Sequence, residues 1–221
     1  MSKPTIALIS ATPLSIAPAQ EALQNRLPNH EMWNILDDRL LVDAQAQGEV
    51  TLALHRRMNR LIDHALAGDT SAVLLTCSLY GFITEEYSGS AIPVLPPDQA
   101  AFDDLINSAP SGVLVIGSLE SAAADSAERL RAYSLSIGRP ITTTHVAVEG
   151  AAEAARAGDP SLLTDIIAPA AERAPGDFAV FLAQYSLAPA VHLLTRRLQK
   201  RVFSGPSSAA NALATTLASK R

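Results

Sequence analysis

The stretch Ser71–Gly81, S-A-V-L-L-T-C-S-L-Y-G, decides how the chain is read. Ala72 to Leu75 is an unbroken apolar run, the mark of a strand buried on both faces of a sheet, and it stops abruptly at Thr76, Cys77 and Ser78. Open α/β sheets carry their chemistry just past the carboxyl ends of their strands, so the only cysteine of the protein falls where a reacting group would sit. A second apolar run, Phe178 to Leu182, ends in the same fashion at Gln184, Tyr185 and Ser186. These two strand ends, with Ser10 to Pro13 near the start, form the candidate active site.

Outward from that stretch, the unit of apolar strand, small polar loop and helix recurs, with its best copies at 5–27, 71–82, 112–133 and 177–198. Thr5 to Ile9 is the first strand, and Pro18 opens a helix that runs to about Leu27. Glu31 to Leu36 is the second strand, and Glu49 to Leu66 is a helix with one covered and one wet face, closed by Gly68-Asp69. Ala91 to Leu95 is a short strand stopped by Pro96-Pro97, where a lobe boundary is expected, and Asp98 caps the next helix. Val113 to Ile116 and the threonine-rich Ile141 to Val148 are strands, and Glu120 to Tyr133, Gly150 to Ala157 and Asp159 to Arg173 are helices. Pro189 to Leu198 is helical, and a break at Ser204-Gly205-Pro206 precedes a terminal helix, Ser207 to Leu217. Strands joined through helices pair in parallel, so the class is α/β.

Composition removes several function classes. A chain of 221 residues with 48% hydrophobic content can bury a full core, which excludes disorder for most of its length. The net charge of -5 is spread along the chain and argues against a nucleic-acid partner. The densest basic group, Arg196, Arg197, Lys200 and Arg201, reads at helical spacing as a solvated face. One cysteine makes no internal disulfide, and no apolar run approaches the roughly 20 residues of a membrane span, so a soluble, cytoplasmic protein with a reduced thiol is expected. A homo-oligomer is compatible with such a chain, isologous dimers being the commonest assembly.

Cys77 at the start of the helix after a strand would have its thiolate stabilised by backbone N–H groups and the helix dipole. The hydroxyls of Thr76 and Ser78, with the N–H groups near Cys77 and Tyr80, suit a carboxylate or a developing enediolate; capping of the helix by Ser78 is the bland reading. Ser10, Thr12 and Ser15 flank Pro13, whose fixed ring suits a rigid wall. Gln184 can orient a substrate but shuttles no proton near neutrality; Tyr185 and Ser186 are a wall and a small hydroxyl beside it. Among the histidines, His145, close to Glu149, has the best position for a site role, and Glu120 follows a strand end. The spacings of structural zinc, of the dinucleotide fingerprint and of the P-loop are missing, so chemistry without a cofactor or metal is expected.

Taken in order, T-I-A-L-I-S-A-T-P, V-L-L-T-C-S, V-L-V-I-G-S before E-S-A-A-A-D-S-A-E-R-L, A-A-R-A-G-D, F-L-A-Q-Y-S-L-A and F-S-G-P-S-S-A-A span nearly the whole chain. In that order they resemble the aspartate/glutamate racemase superfamily, which includes hydantoin racemase, maleate isomerase and arylmalonate decarboxylase. The resemblance implies two similar lobes, residues 1–96 with 206–221 and residues 97–205, each a mainly parallel sheet flanked by helices. It places the active site in the cleft between them and a small organic acid as substrate. It implies pocket positions at Thr12, Pro13, Thr76, Ser78 and Ser118, and one cysteine per lobe in the racemases, falling here on Cys77 and Gln184. Inversion of a carbanion needs a proton donor on each face, and Gln184 supplies none. The expectation is therefore a cofactor-independent isomerase or epimerase acting through the single thiol. A decarboxylase with Cys77 as proton donor and a non-catalytic binder of small organic acids are the alternatives.

Overall fold

Unbroken apolar runs become the central strands. In the computed structural model, which describes residues 3–219, β1 (Thr5–Ser10), β2 (Glu31–Leu36), β3 (Thr70–Leu75) and β4 (Val94–Leu95) form one parallel sheet in the order β2-β1-β3-β4. A second parallel sheet has the order β6-β5-β7-β8 and is built from β5 (Gly112–Gly117), β6 (Thr142–Ala147), β7 (Ala179–Leu182) and β8 (Val202–Ser204). By contact density the described residues fall into two compact units: those up to Gln99 together with those from Pro206, and Ala100–Gly205.

In the first unit, α1 (Ile16–Arg26), α2 (Arg39–Gln47) and α3 (Leu52–Ala67) follow β1 and β2. Ala7, Ile9, Val73 and Leu75 point to one face and pack with Leu40 and Ala44 of α2 and Leu54, Met58 and Ile62 of α3; Cys77, Tyr80 and Ile83 continue the same cluster. Ile6, Leu8, Ala72 and Leu74, on the opposite face by strand alternation, are fully buried as well. Both faces of the central strands are therefore covered, as a parallel sheet requires.

The second unit repeats this plan with α4 (Gln99–Asn107), α5 (Glu120–Ser136), α6 (Ala151–Ala157), α7 (Pro160–Ala171) and α8 (Val191–Leu198), and α9 (Gly205–Ala218) closes the chain. Val113, Val115, Ala179 and Phe181 pack against α4 and α5, and Leu114, Ile116, Val180 and Leu182 against α6, α7 and α8. Asp159 caps α7 by accepting from Ser161 N–H at 2.8 Å, with Pro160 in its first turn.

Several expectations are corrected. The 39–47 segment, to which the sequence assigned no element, is helical: Asp37 accepts from Arg39 N–H and Leu40 N–H at its start, Leu40 and Ala44, one turn apart, reach the core, and Gly48, with φ +75°, ends it. The residues before Gly205 include β8, paired to β7, where the sequence showed only a break. The segments after Cys77 and after Gln184 are 3₁₀ turns, Ser78–Tyr87 and Tyr185–Ala190, in place of α-helix starts. Of the basic group, Arg197 is ion-paired with Asp165 and Glu172, each at 3.0 Å, Lys200 donates to the carbonyls of Ala174 and Pro175, and Arg201 donates to that of Ser108. It is a set of clasps within the second unit, and Lys200 and Arg201 lie beyond the end of α8.

Candidate active site

Equal strand order makes the two units comparable residue by residue. Thr76 N–H donates to the Ile9 carbonyl at 3.0 Å, and Ala183 N–H donates to that of Ile116 at 2.9 Å. Tyr80 N–H closes a turn on the Cys77 carbonyl, as Leu187 N–H does on Gln184. Cys77 and Gln184 are thus the same position of the repeat, each extended (φ -115° and -129°) and each heading a 3₁₀ turn. Both stand where the strand order reverses, between β1 and β3 and between β5 and β7, where open α/β sheets bind ligands.

In the first unit the thiol-bearing loop lies beside the β1 loop. Thr76 Oγ1 is 2.9 Å from Ser10 Oγ and 2.8 Å from Ser15 Oγ, and all three hydroxyls are buried. Ser15 Oγ also donates to the Thr12 carbonyl at 2.9 Å, and Thr12 Oγ1 accepts from Leu14 N–H at 3.4 Å, with Pro13 exposed on the turn between. Cys77 is buried, with 8% exposure for the residue as a whole, and Ser78 beside it is half-buried. The dipole of an α-helix is missing at Cys77, where a 3₁₀ turn takes its place, so the expected stabilisation of a thiolate by such a dipole does not carry over.

Tyr80 departs from its expected place on the substrate side. Its ring is fully buried, its hydroxyl donates to the Leu40 carbonyl at 2.8 Å, and its N–H is taken by Cys77. Tyr80 therefore ties the thiol loop to α2. Alongside, Arg57 grips Asp37 through Nε and Nη2 at 2.5 and 2.6 Å and reaches Asp43 at 3.1 Å. Burial, then the negative charge of an ionised Cys77, pushes the Tyr80 phenol up to about 12, with Asp37 and Asp43 adding and Arg57 opposing. The far end of the turn is fastened to α3, where Glu86 accepts from Asn59 at 2.9 Å and contacts His55 at 2.8 Å, and Tyr87 donates to Asp63 at 3.0 Å.

The Tyr80 shift gives a stability prediction. A phenol whose folded pKa exceeds its unfolded value near 10 stabilises the fold fully below pH 10, and that contribution disappears as the pH rises to about 12. Tyr80→Phe should lose about 1–3 kcal/mol at neutral pH, because the Leu40 carbonyl is left unpaired. Its deficit against the wild type should shrink between pH 10 and 12 in urea titrations; a deficit that stays constant would contradict the assignment.

In the second unit, Gln184 is half-buried, and its Oε1 accepts from Ser118 N–H at 2.7 Å. That bond commits the carbonyl end and leaves the amide NH₂ as the donor. Tyr185 is buried and Ser186 half-buried on the same turn. His145 lies on the edge strand β6, exposed, with Nε2 at 2.9 Å from Glu120 Oε1, so these two partner each other on the surface. Where the first unit has Ser10 and Thr76, the second has Gly117 and Ala183, with the Cβ and backbone N of Ala123 each only 3.0 Å from where a Gly117 side chain would begin. Among the described residues, no group of three or more His, Cys, Asp and Glu could hold a metal ion, and no helix is long and apolar enough to cross a membrane.

Two parallel four-stranded sheets of one strand order, each ending in a polar loop at its switch point, define a duplicated α/β protein. Its fold is shared with amino-acid racemases of known structure. A glutamate racemase from Bacillus anthracis superimposes with a TM-score of 0.73 at 15% identity, covering 100% of this chain and 84% of that one. An aspartate racemase from Picrophilus torridus gives 0.70 at 14% identity, covering 97% and 94%. A liganded arylmalonate decarboxylase variant, with a glycine exchanged for cysteine and a cysteine for serine, gives 0.62 at 21% identity, covering 97% and 92%. No family model and no curated protein sequence matches the chain.

Proposed function

We propose that the protein is a cofactor-independent isomerase or epimerase that acts beside a carboxylate or carbonyl of a small organic acid, with Cys77 as its base. The observation that supports this most is the placing of the single cysteine at the carboxyl end of a central strand, at the switch point of a sheet, in a fold shared with amino-acid racemases. In this reading the Cys77 thiolate removes the proton from the carbon next to the carboxylate, and the C–H electron pair passes into an enediolate. Ser78 and neighbouring backbone N–H groups then meet the growing negative charge. The same sulfur returns that proton on its own face to a different carbon of the delocalised anion, so the net step is a proton shift that moves a double bond; return to the starting carbon is read only as exchange, and inversion there takes its proton from solvent on the opposite face. Gln184 carries no proton to return near neutrality, so a symmetric two-thiol inversion is not proposed. A thiol of this kind suits the reducing cytoplasm, where we place the protein.

The neighbouring decarboxylase variant, with its exchanged cysteine, favours a second reading in which carbon dioxide leaves and Cys77 protonates the resulting carbanion. One experiment separates the two. A panel of 2-substituted carboxylic acids, β-keto acids and substituted malonates is incubated in deuterated water and followed by proton NMR and carbon dioxide release. Exchange or isomerisation without gas supports the isomerase, and gas evolution supports the lyase. Binding with neither, unaltered in Cys77→Ala, would make the protein a non-catalytic binder of small acids.

A further inference from the structure

We infer that Ser10, Thr76 and Ser15 are positioning residues that fix the Cys77 loop against the β1 loop through a chain of buried hydroxyls, in place of contacting substrate themselves. The inference rests on the reading of Cys77 as the reacting group.

The protons assign the direction of the chain. Each hydroxyl has one to give. Ser15 gives its own to the Thr12 carbonyl at 2.9 Å. Ser15 Oγ is then the acceptor at 2.8 Å for Thr76, and Thr76 Oγ1 is the acceptor at 2.9 Å for Ser10. The arrangement that uses each donor once runs Ser10 to Thr76 to Ser15 to the Thr12 carbonyl, with the Ile9 carbonyl a second, longer acceptor for Thr76 at 3.4 Å. Thr76 precedes Cys77 in sequence, and Thr12 is the turn residue of the opposing loop. Ser10, Ser15 and Thr76 are buried together, and Cys77 beside them is buried as well.

The second unit supplies an internal control. At the places equivalent to Ser10 and Thr76 it carries Gly117 and Ala183, in strands paired in the same order and tied by the same backbone bond. The fold therefore closes this junction without hydroxyls, by direct packing of Gly117 on Ala123. At these two positions the hydroxyls are found only in the unit that carries the thiol. Buried polar groups that the fold does not require are accounted for by the fixed geometry they impose, and a misplacement of about 1 Å at a reacting group costs on the order of a hundredfold in rate.

Because Cys77 is the only cysteine, alkylation by iodoacetamide reads its position with no substrate present. The wild type, Thr76→Val, Thr76→Ser and Ser15→Ala are compared by mass spectrometry across the pH range of thiol ionisation. Thr76→Val, which keeps the shape and removes the hydroxyl, should alter the limiting alkylation rate by on the order of tenfold and move the pH midpoint, and Thr76→Ser should restore both to within about twofold. Ser15→Ala, after which Thr76 can still donate to the Ile9 carbonyl, should shift the rate in the same direction, and it decides the matter if Thr76→Val fails to fold. Wild-type rates and midpoints in Thr76→Val, or in Ser15→Ala where it must decide, would overturn the inference. Since no turnover is measured, this result is independent of whether the proposed reaction is found.

Discussion

Cys77→Ser is expected to keep the fold and to lose proton exchange and turnover by about 10³-fold or more. Serine replaces sulfur by oxygen with little change of shape; Cys77 is buried at the end of the first unit's core cluster, so a modest fall in thermal midpoint is expected with the fold retained. The hydroxyl, however, does not ionise near neutrality, and the hydroxyl network beside it offers no base to take its proton. Deuterium incorporation on a substrate found in the panel is the measurement, with circular dichroism as the check on folding. A variant that exchanges at the wild-type rate would remove the thiol from the chemistry and, with it, the isomerase and lyase readings together.

Phe181→Ala should have the largest effect on stability, about 3–5 kcal/mol. Phe181 is fully buried in β7, and its ring meets Phe102 of α4 edge-on at 5.6 Å and 69°. Phe102 in turn lies beneath the Arg129 guanidinium of α5, 5.6 Å from the ring centroid. Truncation removes the ring that joins the central strand to both helices on that face, leaving a cavity the neighbouring aromatic ring cannot fill without losing its own contacts. Urea unfolding measures the loss, and a change below about 1 kcal/mol would show that this face repacks. The two variants should separate cleanly: one abolishes chemistry and spares the fold, the other weakens the second unit without touching the sulfur.

The duplication gives the candidate site its meaning. Two copies of one strand order carry different side chains at the same place, a thiol at Cys77 and an amide at Gln184, and different fillings beneath them, hydroxyls in one and Gly117 with Ala183 in the other. A residue type present in only one copy is not demanded by the architecture. That comparison assigns Thr76 to positioning the thiol and Tyr80, whose counterpart is the apolar Leu187, to anchoring the turn on α2.

The apolar runs Ile6 to Ile9, Ala72 to Leu75, Val113 to Ile116 and Phe178 to Leu182 by themselves determined the parallel class and put Cys77 and Gln184 at strand ends. Burial on both faces leaves a strand no polar alternation, and that pattern survives in one dimension. Shorter or narrower features did not survive so well. α2 buries only Leu40 and Ala44, β8 is three residues long, and the turn after Cys77 is 3₁₀ although its composition suits a helix. Only the tertiary structure decided what the polar residues do, because a hydroxyl has no preferred partner until the chain supplies one. Ser10 and Ser15 meet Thr76 across 66 and 61 residues, Tyr80 finds the Leu40 carbonyl, and His145 turns to Glu120 on an edge strand. Burial of apolar groups is additive along the chain and can be read locally, whereas hydrogen bonds between distant residues are set by strand order and register, which exist only once the sheets have formed.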